Sequence, residues 1–195
     1  MNRVILAYSQ LRGDLPAAQR ERLRAQLPYA RRLRMPFDAG RQSQTYLGLA
    51  LACRLLSDAS VRRVEPSALR FARTGKPYVP GGPDFSITHA GEWVLCALAA
   101  EGEVGIDAEE YGAACPSAAT LAAWTAKEAT VKAARATLAE LDQVQLQGRR
   151  IAFRGRSWYC TTPRLGLPLT VRVVTARRVT QWLLRALPSE SALAA

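Results

Sequence analysis

The run Val104-Gly105-Ile106-Asp107-Ala108-Glu109-Glu110 reads as a strand, expected over Glu103–Glu109, with one apolar and one acidic face. Side chains alternate along a strand, so Ile106 and Ala108 point one way while Asp107 and Glu109 point the other. Gly105 precedes the two acids on their own face and leaves room for something to approach the backbone. Upstream, Val4–Leu11 and Leu69–Ala72 read as strands. Asp14 is expected to cap a helix that begins near Pro16 and carries Leu23 and Leu27 on one face. Asp38 caps a longer helix through Leu56, with Tyr46, Leu49, Leu51 and Cys53 inward. Turns fall at Thr74-Gly75-Lys76-Pro77 and Pro80-Gly81-Gly82-Pro83, and Phe85–Thr88 and Trp93–Ala99 are strands around a His89-Ala90-Gly91 bend. Downstream, Ser117 caps a helix running to about Leu138. Strands follow over Arg150–Phe153, Ser157–Thr161, Leu169–Thr175 and Val179–Leu187, and the last eight residues read as loose. Helices then strands, followed by a helix then strands, indicate an α+β protein with two halves.

The chain has 195 residues, enough for one domain or one built from two similar halves. At 49% hydrophobic and 22% charged residues, the composition excludes the disordered class. No apolar run approaches the ~18 residues of a membrane span, and the N-terminal patch lacks a small-residue cleavage site. The four cysteines, Cys53, Cys96, Cys115 and Cys160, form no C-x-x-C pair and make no zinc site with the single histidine. They read as reduced thiols of a cytoplasmic protein.

The net charge of +11 is unevenly spread. Residues 1–73 hold 14 Arg and 5 acids, residues 74–128 two Lys and 8 acids, and residues 129–195 11 basic residues and 3 acids. The basic wings attract anions: nucleic acid, phosphate esters or an acidic partner. The acidic middle needs a counter-charge, for which a metal is one candidate. Only Lys76, Lys127 and Lys132 are lysines, against 24 arginines. Arg and Lys are not interchangeable at tight sites, so the remaining lysines mark either positions needing a compact ammonium or chance survivors.

Four constellations could carry chemistry. Asp107 and Glu109 on one strand face suit Mg²⁺, which takes one or two carboxylates plus phosphates and waters. Taken alone, the D-x-E tripeptide is better explained by solvated acids on a strand edge, because such tripeptides are common. In Trp124-Thr125-Ala126-Lys127-Glu128-Ala129-Thr130-Val131-Lys132, the i,i+4 spacing puts Glu128 and Lys132 on a helical face with Trp124. The carboxylate can take a metal and the ammonium a phosphate; equally, the pair is a solvated salt bridge and Trp124 a core residue. Phe85-Ser86-Ile87-Thr88-His89-Ala90-Gly91 sets the lone histidine at a strand end beside a hydroxyl, a setting for anion contacts or for a packed histidine. Gly75-Lys76-Pro77 is either a plain turn or a rigid loop that presents backbone groups and an ammonium to a ligand.

In this order, the motifs G-K-P, F-x-I-[ST]-H-x-G, [IV]-G-[IV]-D-x-E and W-[ST]-x-K-E-[AS]-x-x-K resemble the 4′-phosphopantetheinyl transferases of the Sfp-type branch. The resemblance covers nearly the whole chain, including Arg31-Arg32-Leu33-Arg34 and Thr45-Tyr46-Leu47-Gly48. It implies two pseudo-symmetric α/β halves with the active site at their interface. The N-terminal, nucleotide-binding half would span 1–103, the half with the metal site and catalytic helix 104–188, and a flexible tail 189–195. It implies transfer of the 4′-phosphopantetheine arm of coenzyme A to a serine of an apo acyl or peptidyl carrier protein, releasing adenosine 3′,5′-bisphosphate. Such an enzyme serves fatty acid or secondary metabolite biosynthesis. By resemblance Asp107, Glu109 and Glu128 hold Mg²⁺, and Glu128 also takes the serine proton. Lys132 contacts the pyrophosphate, and Gly75, Lys76 and Pro77 border the adenine. Thr88, His89 and an arginine, Arg32 foremost, hold the nucleotide phosphates. The implied partner is a carrier with an acidic face, the implied state a cytoplasmic monomer, with no membrane and no nucleic acid beyond the nucleotide of coenzyme A.

The chain departs from the pattern in three places. Thr88 stands where many members have serine. Phosphate-binding lysines of the N-terminal half are arginines here. Only 13 residues, Tyr111 to Ala123, separate Glu110 from Trp124, where many members have a longer insertion that helps receive the carrier. Two rivals stand beside this reading: a paralogue that binds coenzyme A or a carrier without transfer, and a Mg²⁺-dependent nuclease. The nuclease should interleave aromatics with its basic residues along one groove.

Overall fold

The computed structural model describes residues 2–60, 62–112 and 117–193, and the chain is a mixed α+β protein. One sheet has four strands in the order β11 (Gln181–Ala186), β1 (Arg3–Gln10), β5 (Trp93–Ala99) and β4 (Phe85–Ala90). A second has five, in the order β6 (Val104–Glu110), β10 (Leu169–Thr175), β9 (Arg156–Thr161), β8 (Arg150–Phe153) and β7 (Gln145–Gln147). A short ribbon pairs β2 (Arg70–Phe71) with β3 (Pro77–Tyr78). Neighbours are antiparallel except β1 and β11, which run parallel in the register Arg3–Gln181 to Tyr8–Ala186.

The layering follows from which strand faces are apolar. Val94-Leu95-Cys96-Ala97-Leu98-Ala99 carries no polar residue because β5 is covered on both sides. Val94, Cys96 and Leu98, with Ile5 and Ala7 of β1, pack under helix α3 (Ala39–Ala59). Leu95, Ala97 and Ala99, with Val4 and Leu6, pack against Val104, Ile106 and Ala108 of β6 and Val171 and Val173 of β10. The far side of the second sheet is covered by α4 (Ala118–Ala133), whose Ala126, Ala129 and Ala133 meet Ile151, Phe153, Trp158 and Val174. The order is therefore helix, sheet, sheet, helix. Strands β4 and β6, the edges of their sheets, lie against each other and form the seam.

The helix starts follow local chemistry. The Asp38 carboxylate accepts from Arg41 N at 2.8 Å and Ser117 Oγ from Thr120 N at 3.0 Å, as N-caps do. Helix α1 (Ala17–Ala25) differs from expectation: Pro16, with φ −52°, occupies its N-cap, and Asp14 does not cap it. Leu27 lies beyond its end yet is buried with Leu23. After α2 (Tyr29–Arg32) the chain enters α3.

Three further expectations are corrected. His89 and Ala90 belong to the ladder, paired with Val94 and Trp93, so the bend comes only at Gly91. Helix α4 stops at Ala133 and not near Leu138, because Arg135 takes a left-handed φ of 52° and closes a Schellman motif. Ala136 N donates to Val131 O at 2.8 Å and Arg135 N to Lys132 O at 3.3 Å. Residues 189–193, expected to be loose, form a short helix, α5 (Ser189–Leu193), that seats Ala192 in the core beneath α3. Moreover β11, allotted to the C-terminal half, pairs with β1 in the first sheet, so the chain's last strand crosses the expected boundary at 103/104.

Cys53, Cys96 and Cys160 are free, and burial pushes the Cys53 thiol up to about 12. Cys115 lies outside the described residues, as does part of the short 111–123 segment. No helix among the described residues is long and apolar enough to cross a membrane.

Candidate active site

Gly105 shows why the second sheet and α4 meet here. A Cβ on it would lie 1.9 Å from the Ala129 carbonyl oxygen and 2.5 Å from Ala133 N. The approach that the glycine permits is that of the α4 backbone. Asp107 and Glu109, on the same strand face, are thereby brought beside Glu128 and Lys132 of α4.

Asp107 is 2% exposed. Its Oδ1 accepts from Lys132 Nζ at 2.5 Å and from Thr88 Oγ1 at 3.1 Å across the seam, while its buried Oδ2 has no partner. Lys132 Nζ lies 3.9 Å from Glu128 Oε2, so the lysine pairs with the strand carboxylate in preference to its i,i+4 neighbour. Burial first, and the charge of Asp107 next, push the carboxyl groups of Glu109 and Glu128 above the ordinary range; Lys132 and the Trp124 indole offset part of this. Trp124 is 45% exposed and stands by these carboxylates rather than in the core. One ammonium thus serves three carboxylates. Among the described residues no three acidic, histidine or cysteine side chains are gathered closely enough to hold an ion as they stand. The unpartnered Asp107 oxygen and the excess of negative charge nonetheless fit a divalent cation in kind and place.

His89 faces away from Asp107, toward the α3 side of β4. Desolvation, then the cations Lys132 and Arg41, hold its imidazole below the ordinary range.

Gly75, at φ 87°, turns the 74–77 loop into a cleft of about 220 Å³ bordered also by Pro77, Ser86, Lys132 and Arg135. The loop backbone faces this cleft, but the Lys76 ammonium does not reach out to a ligand. It is buried, 2.6 Å from Asp84 Oδ2 and 2.8 Å from Val104 O, to which it donates. Asp84 also accepts from Val104 N at 2.8 Å and from Arg135 at 3.1 Å. Asp84 was invisible to motif reasoning, since nothing in its local sequence marks it. It ties the Gly75 loop, the start of β6 and the end of α4 into one unit.

Gly75 also borders a second, larger cleft of about 510 Å³, lined by Arg31, Arg34, Arg70, Arg73 and Tyr78. Arg31 stacks over Phe71 at 5.2 Å and its buried Nε has no partner. Arg135 stacks over Tyr78 at 5.3 Å and joins the two clefts. Arg32 lies elsewhere: it stacks over Tyr29 and lines a different groove with Glu21 and Arg24. The spatial cluster of four arginines draws on α2, the loop after it, β2 and the loop after that, so a linear reading of the Arg31–Arg34 run could not select among its members.

Chemically, the place combines a carboxylate cluster short of cations with a cleft leading to a basic pocket large enough for a phosphorylated ligand. No protein-family model matches this chain, and no curated protein matches it.

Proposed function

We propose that this protein transfers the 4′-phosphopantetheine arm of coenzyme A to a serine of an apo carrier protein. The observation that carries the reading is the meeting of Asp107 and Glu109 of β6 with Glu128 and Lys132 of α4. They lie beside a cleft that continues past Gly75 to four arginines. The helix-on-sheet layers formed by α3 and α4 would be the two pseudo-symmetric halves, with the site at their seam.

Asp107, Glu109 and Glu128 would hold Mg²⁺, which supplies Lewis-acid charge to a pyrophosphate when bound. Lys132, already held by Asp107, places a second positive charge on the same side and can neutralise the leaving bisphosphate. Glu128 would take the serine proton directly or through one water. The adenine would lie along the backbone of Gly75, Lys76 and Pro77. Lys76 itself acts by holding that loop to Asp84 and Val104. The nucleotide phosphates would fall to His89 and to Arg31, Arg34, Arg70 or Arg73 rather than Arg32. The net charge of +11 favours a carrier with an acidic face, and salt should weaken that encounter.

The test is one incubation with coenzyme A, Mg²⁺ and a panel of apo carriers, read by intact mass. A phosphopantetheine gain on a carrier is expected. Coenzyme A binding without any gain identifies a silent binder, and cleavage of DNA or RNA in a parallel tube identifies a nuclease.

A further inference from the structure

Thr88 and His89 are neighbours on β4, so their side chains leave opposite faces of the sheet. Ser86, Thr88 and Ala90 face the seam, whereas Phe85 and Ile87 pack under α3 and His89 shares that side. One phosphate is therefore poorly placed to meet both Thr88 and His89. Proton accounting leads to the same result. A hydroxyl has a single proton to give, and the buried Thr88 hydroxyl gives it to Asp107 Oδ1 at 3.1 Å. A phosphate bearing only acceptor oxygens would find no donor there. Asp107 is meanwhile lopsided. Both of its donors, Thr88 Oγ1 and Lys132 Nζ, converge on Oδ1, and the buried Oδ2 receives nothing. A carboxylate gripped by one oxygen cannot swing, which leaves the other aimed in a fixed direction.

We infer that Thr88 is a positioning residue for Asp107: with Lys132 it holds Oδ1 and leaves Oδ2 as the single oxygen offered to a divalent cation. This rests on the cation reading given above. Partners behind a ligating group commonly govern metal affinity by about 10- to 100-fold.

The experiment is a Mn²⁺ titration of the full chain, followed by electron paramagnetic resonance, on wild type, Thr88→Val and Thr88→Ser. Thr88→Val should bind Mn²⁺ about 10-fold more weakly or worse, and Thr88→Ser should keep the wild-type affinity. In a chelator-treated calorimetric titration, Thr88→Val should keep the wild-type preference for coenzyme A over dephospho-coenzyme A. Wild-type Mn²⁺ affinity in Thr88→Val, or loss of that preference, overturns the inference and returns Thr88 to a phosphate. A wild-type chain that binds no Mn²⁺ overturns the cation reading itself. Should Thr88→Val unfold, Thr88→Ala removes the same hydroxyl without adding bulk at the seam, and the same outcomes apply to it.

Discussion

Two lysine–aspartate pairs with largely buried carboxylates have nearly the same length and opposite electrostatics. Lys76–Asp84 spans 2.6 Å and Lys132–Asp107 2.5 Å. Around Asp84 the charges close: two cations and a backbone N–H share its two oxygens, and the lysine gives a further bond to Val104 O. Around Asp107 they stay open: one oxygen is unpartnered, and Glu109 and Glu128 add negative charge that a single lysine does not balance. Buried ionic groups are tolerable when every donor and acceptor is used. A cluster that violates this beside a cleft is one poised for a ligand. The first pair ties the elements around the candidate site together, and the second lies within it.

The largest effects should therefore separate the pairs by what is lost. Asp107→Ala and Glu128→Ala should each lower transfer by about 100-fold or more, the scale of losing an electrostatic stabiliser of the reacting centre. Their circular dichroism should be unchanged, because Lys132 is 30% exposed and can turn to solvent. Undiminished turnover in either variant would contradict the metal assignment. Asp84→Ala should instead cost stability, about 3–5 kcal/mol in urea unfolding, because it strands the buried Lys76 ammonium. A wild-type midpoint for that variant would remove the contrast. Gly105→Ala forces a Cβ into the Ala129 carbonyl and should cost about 1–3 kcal/mol. It should also weaken transfer by parting β6 from α4, and wild-type stability and turnover together would show that the contact is dispensable.

The smallest effect runs the other way. The folded-state carboxyl of Glu128 titrates above its ordinary value of 4.5, so folding favours its protonated form. That favourable contribution is present below pH 4.5 and is lost as pH rises through the raised value. Glu128→Gln should accordingly give a slightly higher melting temperature than wild type at pH 7 in the absence of divalent cations, with a flatter pH profile. Added Mg²⁺ should narrow the gap by stabilising wild type alone. A lower melting temperature for the variant under chelation would show that Glu128 is not strained.

Much of this is local and could be read along the chain. The alternation in β6 placed Gly105, Asp107 and Glu109 on one face and Ile106 and Ala108 on the other, as found. Asp38 and Ser117 cap their helices because a side-chain oxygen three residues before a backbone N–H is a property of the segment itself. The end of α4 was missed because its left-handed residue is Arg135 rather than glycine. That conformation is held in place by Asp84 and Tyr78, both distant in sequence. The short helix α5 was missed because four polar or small residues and one leucine carry no periodic signal, and only the core under α3 gives Ala192 a place to bury.

Sequence alone determined the alternation in β6, the Asp38 and Ser117 caps and the order of the four motifs, since these depend on neighbours a few residues apart. Only the tertiary structure decided partners. Lys132 sits closer to Asp107 than to its helical neighbour, Lys76 turns inward to Asp84, Thr88 turns to a carboxylate, and Arg31 rather than Arg32 meets the basic cleft. The physical reason is that pairing energy depends on distance and desolvation across the seam between two sheets. Neither quantity is carried by spacing along one chain.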